Sequence, residues 1–173
     1  MLINKLFSRK NLSSFNLLII LLLLIGSAAF PNSVLADSVM TVTTSVDEQN
    51  TNGSCSLREA IINANTNSTS GSADCAAGSG NDTIQFDDAL GAATIILAST
   101  LPSITDVNNL TINGGGDITI SGNDQYRILL VNSSITLDHL TLSNGRCGSC
   151  SGGGIYSSGG TVIITNSTLS DND

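Results

Sequence analysis

Short runs of alternating hydrophobic and polar residues follow one another along the chain after residue 80. Five such runs are rich in isoleucine, leucine or valine, three of them in strict alternation with polar residues, and glycine and asparagine separate them; the runs span residues 83–86, 94–97, 110–113, 118–121 and 128–132. A period of two is typical of a β-strand with one buried face, and glycine and asparagine are typical of turns. The pattern therefore predicts an all-β fold.

Two of these strand types recur in step. The segments ITISGN, LTLSNG and STLSDN begin at residues 118, 140 and 167, which are 22 and 27 residues apart. The segments LTI, ITL and VII begin at residues 110, 135 and 162, which are 25 and 27 residues apart. Two strand positions that keep the same period indicate a solenoid of stacked coils joined by parallel sheets. An antiparallel sandwich is the alternative, and it explains the alternation but not the repeat.

The composition agrees with narrow stacked coils. After residue 36 the chain has only three aromatic residues, so the core must be aliphatic; they are Phe86, Tyr126 and Tyr156. Asparagine and glycine between the runs tolerate the left-handed backbone that tight corners need.

One segment, CSLREAIINAN at residues 55–65, interrupts this pattern. Its S-L-R-E start matches a capping box, in which serine and glutamate satisfy free backbone N–H groups at a helix N-terminus. Four apolar residues then follow at helical spacing and predict a helix of about three turns with one apolar face: Leu57, Ala60, Ile61 and Ala64. Because a solenoid leaves an open end, we expect this helix to cover the core of the first coil.

The adjacent Arg58 and Glu59 have two interpretations. They would be an active-site pair in an enzyme, whereas in a cap Glu59 is part of the capping box and Arg58 is a surface charge or a residue that ties the cap. We favour the cap. The predicted capping-helix residues are Ser56, Leu57, Arg58, Glu59, Ala60 and Ile61.

The first 36 residues are organised like a secretory signal peptide. Three basic residues precede an apolar run at 17–25, and VLA at 34–36 supplies the small residues of a cleavage site. The run is too short to cross about 30 Å of hydrocarbon, so we expect cleavage and no stable membrane span rather than an uncleaved anchor. We therefore predict a signal peptide at 1–36, an N-terminal strand and capping helix at 37–80, and β-helix coils at 81–173 that continue in a longer protein.

Charge limits the possible partners. After residue 36 three arginines stand against fourteen acidic residues, which leaves a formal net charge of −11. Such a chain repels phosphate backbones, which excludes nucleic acid as a partner.

Four cysteines lie in the part predicted to be exported, where an oxidising compartment favours two disulfides. Cys147 and Cys150 have the spacing of a redox or metal pair, but no second CxxC completes a zinc site. We interpret this pair as a tight loop bridge, and Cys55 with Cys75 then closes the other loop.

Candidate chemistry among the repeats is sparse. Glycoside hydrolysis needs two carboxylates roughly 5–10 Å apart; the candidates lie at predicted turns and are Asp106, Asp117, Asp124 and Asp138. His139, the only histidine, is predicted at a solvent-facing bend. Tyr156 is the best candidate for stacking on a sugar. The acidic pairs at 47–48 and 87–88 lack the spacing of a dedicated calcium loop, and we expect no metal or other cofactor.

The motifs also resemble a known group of proteins. CSLREAIINAN, with VTTSVDE before it and NDTIQF after it, is similar to the CSLREA domain of exported bacterial surface proteins. TISGN and GGGIYSSGGTVIITNSTLSDND resemble right-handed parallel β-helix repeats of the pectate-lyase-like type. Gly152–Ile155 and Leu169–Asn172 also resemble the GGAI and FxxN signatures of polymorphic outer-membrane protein repeats, with leucine in place of phenylalanine in the second. The resemblance implies an exported right-handed parallel β-helix and no particular reaction.

From these observations we expect a secreted or cell-surface protein, on a bacterial outer surface, with a structural or adhesion role and no catalytic site. Its partners would be surface glycans or other cell-surface proteins. The alternative is a carbohydrate-binding protein or a β-helix enzyme of the polysaccharide lyase or hydrolase type.

Overall fold

The structure, a computed structural model, describes residues 36–173 and is a β-solenoid of about three turns. The predicted signal peptide, apart from its last residue, lies outside the described residues. One helix and nine strands follow in chain order: β1 Val39–Val42, α1 Leu57–Thr66, β2 Thr83–Phe86, β3 Ala93–Ile96, β4 Asn109–Ser121, β5 Leu129–Val131, β6 Ser134–Ser143, β7 Ile155–Ser157, β8 Val162–Thr165 and β9 Thr168–Ser170. A short 3-10 helix, Asp88–Leu90, precedes β3.

The strands form three faces. Face A stacks β1, β2, the first half of β4, the first half of β6, and β8. Face B stacks β3, the second halves of β4 and β6, and β9. Face C stacks Ile104, β5 and β7. Every pairing among these strands is parallel, which confirms the solenoid and excludes the antiparallel sandwich.

The two repeated sequence patterns are two faces of the same coils. On face A, Leu110 pairs with Ile135, and Ile135 pairs with Val162. On face B, Ile120 pairs with Leu142, and Leu142 pairs with Leu169. The register thus follows the repeat, because equivalent side chains of successive coils point to the same side of the sheet.

Turns in the left-handed region separate faces A and B. His139 at this corner of β6 has φ 52°, and Asn166 occupies the next coil's corner with φ 49°. In the coil before them two glycines, Gly115 and Gly116, have φ 66° and 102°. These residue types tolerate positive φ better than branched residues do, which explains why they punctuate the strands.

The core is a column of aliphatic side chains inside the coils. Its members are buried and come from all three faces, among them Ile84, Ile95, Ile104, Leu110, Ile112, Ile120, Leu129, Leu137 and Leu142. At the last described coil the inward residues Ile164 and Leu169 are exposed. The core is therefore covered at the end that carries α1, whereas no other coil of the described residues covers Ile164 and Leu169.

Helix α1 lies at the covered end, between β1 and β2 in the chain, and its apolar face joins the core. Leu57, Ala60, Ile61 and Ala64 are all buried in the same cluster as Met40 of β1. Residues 37–80 and 81–173 belong to one unit of the fold, because β1 pairs directly with β2.

Candidate functional site

The start of α1 has the capping box that its sequence predicts. Ser56 is the N-cap, and its Oγ accepts a hydrogen bond from the Glu59 N–H at 3.2 Å. The Glu59 Oε2 accepts one from the Ser56 N–H at 2.9 Å. Ser56 Oγ also donates to the backbone carbonyl of Glu48 at 2.7 Å, which fixes the preceding loop on the helix.

Glu59 has a second structural contact that the sequence did not predict. Its Oε1 accepts a hydrogen bond from the Asn50 N–H at 2.7 Å, and the residue is fully buried. Both oxygens therefore bind backbone N–H groups of the residue's own loop and helix, an arrangement that holds the cap together.

Replacing Glu59 with glutamine is expected to lower the free energy of unfolding by roughly 1–3 kcal/mol. The sequence alone predicts a mild effect, because a capping box accepts either residue. In the structure, however, the amide NH₂ would face the N–H of Asn50 or Ser56 and leave a buried donor unpaired. Denaturant unfolding of both proteins measures the difference.

Glu48→Gln is the matched control, because Glu48 bonds to the exposed side chains of Asn50 and Asn52. We expect that change to stay within about 0.5 kcal/mol, as is usual for surface substitutions. Equal stabilities of the two variants would show that the second contact of Glu59 contributes nothing.

Arg58 ties the cap to the solenoid. Its Nε and one terminal nitrogen each lie 2.8 Å from a different Asp47 carboxylate oxygen. The two terminal nitrogens also donate to the carbonyls of Ser99 and Thr100, after β3, at 2.8 and 3.0 Å. Asp47 in turn accepts a hydrogen bond from the Ala98 N–H at 2.8 Å. Arg58 and Asp47 thus join the loop before α1 to the turn after β3.

Two asparagines of the motif organise neighbouring loops, and sequence reasoning missed both. The buried Asn63 donates to the carbonyls of Ser72, Cys75 and Ala76 and accepts from the Gly71 N–H. The sequence does contain a feature that predicts such a role: asparagine is unfavourable inside a helix unless its side chain has a specific partner.

The second asparagine, Asn65, reaches the loop before β4. Its amide donates to the Ser103 carbonyl at 2.8 Å, and its oxygen accepts from the Thr105 and Asp106 N–H groups at 2.8 and 3.0 Å. The polar residues of the motif therefore connect α1 to loops before and after it.

The two disulfides lie in different environments. Cys55–Cys75 joins the residue before the N-cap to the loop after α1, and both cysteines are buried. Cys147–Cys150 closes a four-residue loop after β6, and Cys150 is exposed.

Two buried aspartates lie beneath the cap. Asp82, before β2, accepts a hydrogen bond from the Ser79 N–H at 2.7 Å, and Asp106, before β4, accepts one from the Asn108 N–H at 3.1 Å. The Oδ2 of each is buried without a hydrogen-bond partner among the described residues. Asp106 makes the turn contact that its sequence predicts, but its burial removes it from the carboxylates that a polysaccharide could reach.

Burial raises the pKa of Asp82 from 3.8 to about 6. The negative charges of Asp106 and Asp37 act in the same direction, and the Ser79 N–H opposes them. The folded protein therefore binds a proton at Asp82 more tightly than the unfolded chain does.

The stability that this proton provides is fully present below about pH 4 and is lost as the pH rises through about 6. Asp82→Asn carries an amide in place of the protonated acid, so we expect its Tm to rise relative to that of the wild type across this range. Asp138→Asn is the control, because the pKa of Asp138 is lowered and its titration falls below this range. Parallel Tm curves for wild type and Asp82→Asn between pH 4 and 6.5 would contradict the assignment.

The remaining carboxylate candidates lie at corners. Asp117 and Asp124 are exposed, and Asp124 has φ 54°. Asp138 binds the corner of the next coil, because its Oδ1 accepts hydrogen bonds from Asn166 and Thr165 at 2.9 and 2.8 Å. These contacts, together with His139, lower the pKa of Asp138 to about 2, which suits a structural carboxylate and not a general acid.

His139 is at the solvent-facing bend that the sequence predicts. Its side chain is 46% exposed, and its Nδ1 lies 2.9 Å from the Asp138 Oδ2. Within residues 36–173, no group of three or more histidine, cysteine, aspartate or glutamate side chains is arranged to hold a metal ion.

In the acidic pair at 87–88, Asp87 has a structural role. It caps the 3-10 helix, because its Oδ1 accepts a hydrogen bond from the Ala89 N–H at 2.8 Å.

Arg127, just before β5, lies against an aromatic ring and a disulfide. Its guanidinium lies 4.9 Å from the centre of the Tyr156 ring, within cation–π distance. Its Nε donates to the Gly152 carbonyl at 2.9 Å. One terminal nitrogen lies 2.8 Å from the Cys147 Sγ and 3.2 Å from the Cys150 Sγ. A cation, an exposed aromatic ring and a disulfide therefore meet on the outside of face C.

A cavity of about 450 Å³ lies near this cluster, in the last described coil. Its lining is small and polar apart from two apolar side chains, and consists of Gly152, Gly153, Gly154, Ile155, Leu169, Asp171, Asn172 and Asp173.

In the described part of the chain, no helix is both apolar enough and long enough to cross a membrane.

Comparison of this chain with family models, curated proteins and solved structures finds no match.

Proposed function

We propose that this protein is a secreted or cell-surface structural module with an adhesion role. The observation that supports this best is a column of four threonines, one from each of the four strand segments of face B: Thr94, Thr119, Thr141 and Thr168. In β4 the threonine alternates with buried Ile118 and Ile120, so it faces outward. The column gives a rigid, repeating contact surface.

The rest of the molecule suits display more than chemistry. The cap residues Arg58 and Glu59 bind the chain's own backbone, and Asp138 binds the next corner. The net charge of −11 after residue 36 keeps the surface hydrated and repels anionic partners. Neutral surface glycans or cell-surface proteins with basic patches fit this surface best, and a bacterial outer surface is the proposed location.

Adhesion is tested with beads coated with the purified protein and presented to cells and to immobilised surface glycans. We expect coated beads to attach and albumin-coated beads not to attach. Thr119→Lys with Thr141→Lys should reduce attachment at least tenfold, because the charges interrupt the threonine column. The same change on face A, Thr111→Lys with Thr136→Lys, is the matched control. Attachment equal to that of albumin would reject the proposal.

A carbohydrate-binding role is the second candidate, and it rests on Tyr156. The ring is 40% exposed and points outward from β7, where an exposed aromatic can stack on a sugar. Titration with oligosaccharides, compared between wild type and Tyr156→Ala, tests this role. Turnover of any polysaccharide in the same screen would favour the lyase or hydrolase alternative.

A further inference from the structure

The two disulfides differ in their access to solvent and in their charged neighbours. Cys55 and Cys75 are 1% and 3% exposed and lie against the core. Cys150 is exposed, Cys147 is half-buried, and the loop between them contains only Gly148 and Ser149. A thiolate in solution can therefore reach the Cys150 sulfur without any opening of the fold.

Arg127 gives the exposed pair a second distinctive property. One terminal guanidinium nitrogen lies within 3.2 Å of both sulfurs, and the nearest is the Cys147 Sγ at 2.8 Å. The same nitrogen donates to the Ser151 carbonyl at 2.7 Å, and Nε donates to Gly152, so the guanidinium is held in place. A fixed positive charge at this distance stabilises a thiolate more than a disulfide or a thiol.

We propose that Cys147–Cys150 is a thiol–disulfide exchange site that reacts with dithiols, while Cys55–Cys75 remains a structural bond. One thiolate of the dithiol attacks the Cys150 Sγ, the bond between the two cysteines breaks, and Cys147 leaves as a thiolate beside Arg127. The second thiolate of the dithiol then attacks the dithiol sulfur that is bonded to Cys150. The dithiol closes to a disulfide, and Cys150 is released as a thiolate. Two electrons and two protons pass to the protein, and the dithiol becomes a disulfide.

The first test measures selectivity in the full protein. Dithiothreitol is added in steps, free thiols are trapped with iodoacetamide, and peptide mass spectrometry locates the label. We expect Cys147 and Cys150 to be labelled at a concentration at least tenfold lower than that needed for Cys55 and Cys75. Labelling of all four cysteines together, or of the buried pair first, would overturn the proposal.

The second test measures the role of Arg127. Arg127→Gln is expected to shift the equilibrium with dithiothreitol about tenfold towards the disulfide, which corresponds to about 30 mV. Arg146→Gln is the matched control, because it removes the same charge from an exposed residue next to Cys147. Arg146 bonds to the Tyr126 carbonyl through its backbone N–H and not through its side chain, so the substitution leaves that contact in place. We expect a change of twofold or less for that variant.

Arg127→Lys keeps the charge and guards against a folding defect in the glutamine variant. We expect its equilibrium with dithiothreitol to stay close to that of the wild type. The pH dependence of iodoacetamide labelling should show a Cys147 pKa below that of a free thiol in both wild type and Arg127→Lys. Equal equilibria for Arg127→Gln and Arg146→Gln, or an ordinary Cys147 pKa in the reduced wild type, would overturn the assignment of Arg127.

Discussion

Replacing Arg58 with methionine is expected to lower the free energy of unfolding by about 3–5 kcal/mol, the cost of removing one partner of a buried ion pair. The side chains of Arg58 and Asp47 are 13% and 2% exposed. Methionine fills the space of the aliphatic stem, so the loss comes from the charge and hydrogen bonds of the guanidinium and not from packing. Asp47 would keep only the Ala98 N–H, and the carbonyls of Ser99 and Thr100 would lose their donors.

A double-mutant cycle separates the pair from the other contacts. Asp47→Asn removes the buried charge, so Arg58→Met should cost less in that background than in the wild type. Arg58→Lys keeps the charge but lacks the planar guanidinium that binds both Asp47 oxygens. We expect its free energy of unfolding to lie between those of the wild type and Arg58→Met. Urea unfolding gives the four free energies. A cost below about 1 kcal/mol for Arg58→Met would mean that the pair behaves as a surface ion pair.

The coils were predictable because their information is local and repeated. Within a strand, the alternation of apolar and polar residues predicts which side chains point inward. The repeat period predicts which strands stack on one another. The predicted pairing of residues 110–112 with 135–137 and 162–164 is the observed register. The ends of isolated strands differ from the prediction by one residue: the run 94–97 corresponds to Ala93–Ile96, and the run 128–132 to Leu129–Val131.

The cap shows what local patterns leave open. The capping box lies within four residues, so Ser56 and Glu59 were readable from their spacing. Asn65 and Arg58 bind carbonyls about 40 residues away, and nothing in their own neighbourhood specifies those partners. The burial of Asp82 could not be predicted either, because an aspartate before a strand has the same local sequence whether its turn is exposed or covered by a helix.

The cap itself depends on its apolar face, which gives the second large effect. Replacing Leu57 with alanine is expected to lower the free energy of unfolding by roughly 2–5 kcal/mol, because Leu57 is fully buried and its removal leaves a cavity between α1 and the first coil. Ile96→Ala is the matched control: it removes a side chain of the same size from a position in β3 that is 57% exposed. We expect that change to cost less than half as much, since little buried surface is lost. Urea unfolding of both variants measures the two costs, with iodoacetamide trapping to check that Cys55–Cys75 stays intact. Equal costs would mean that Leu57 is no better covered than an exposed side chain, and α1 would then not be a cap.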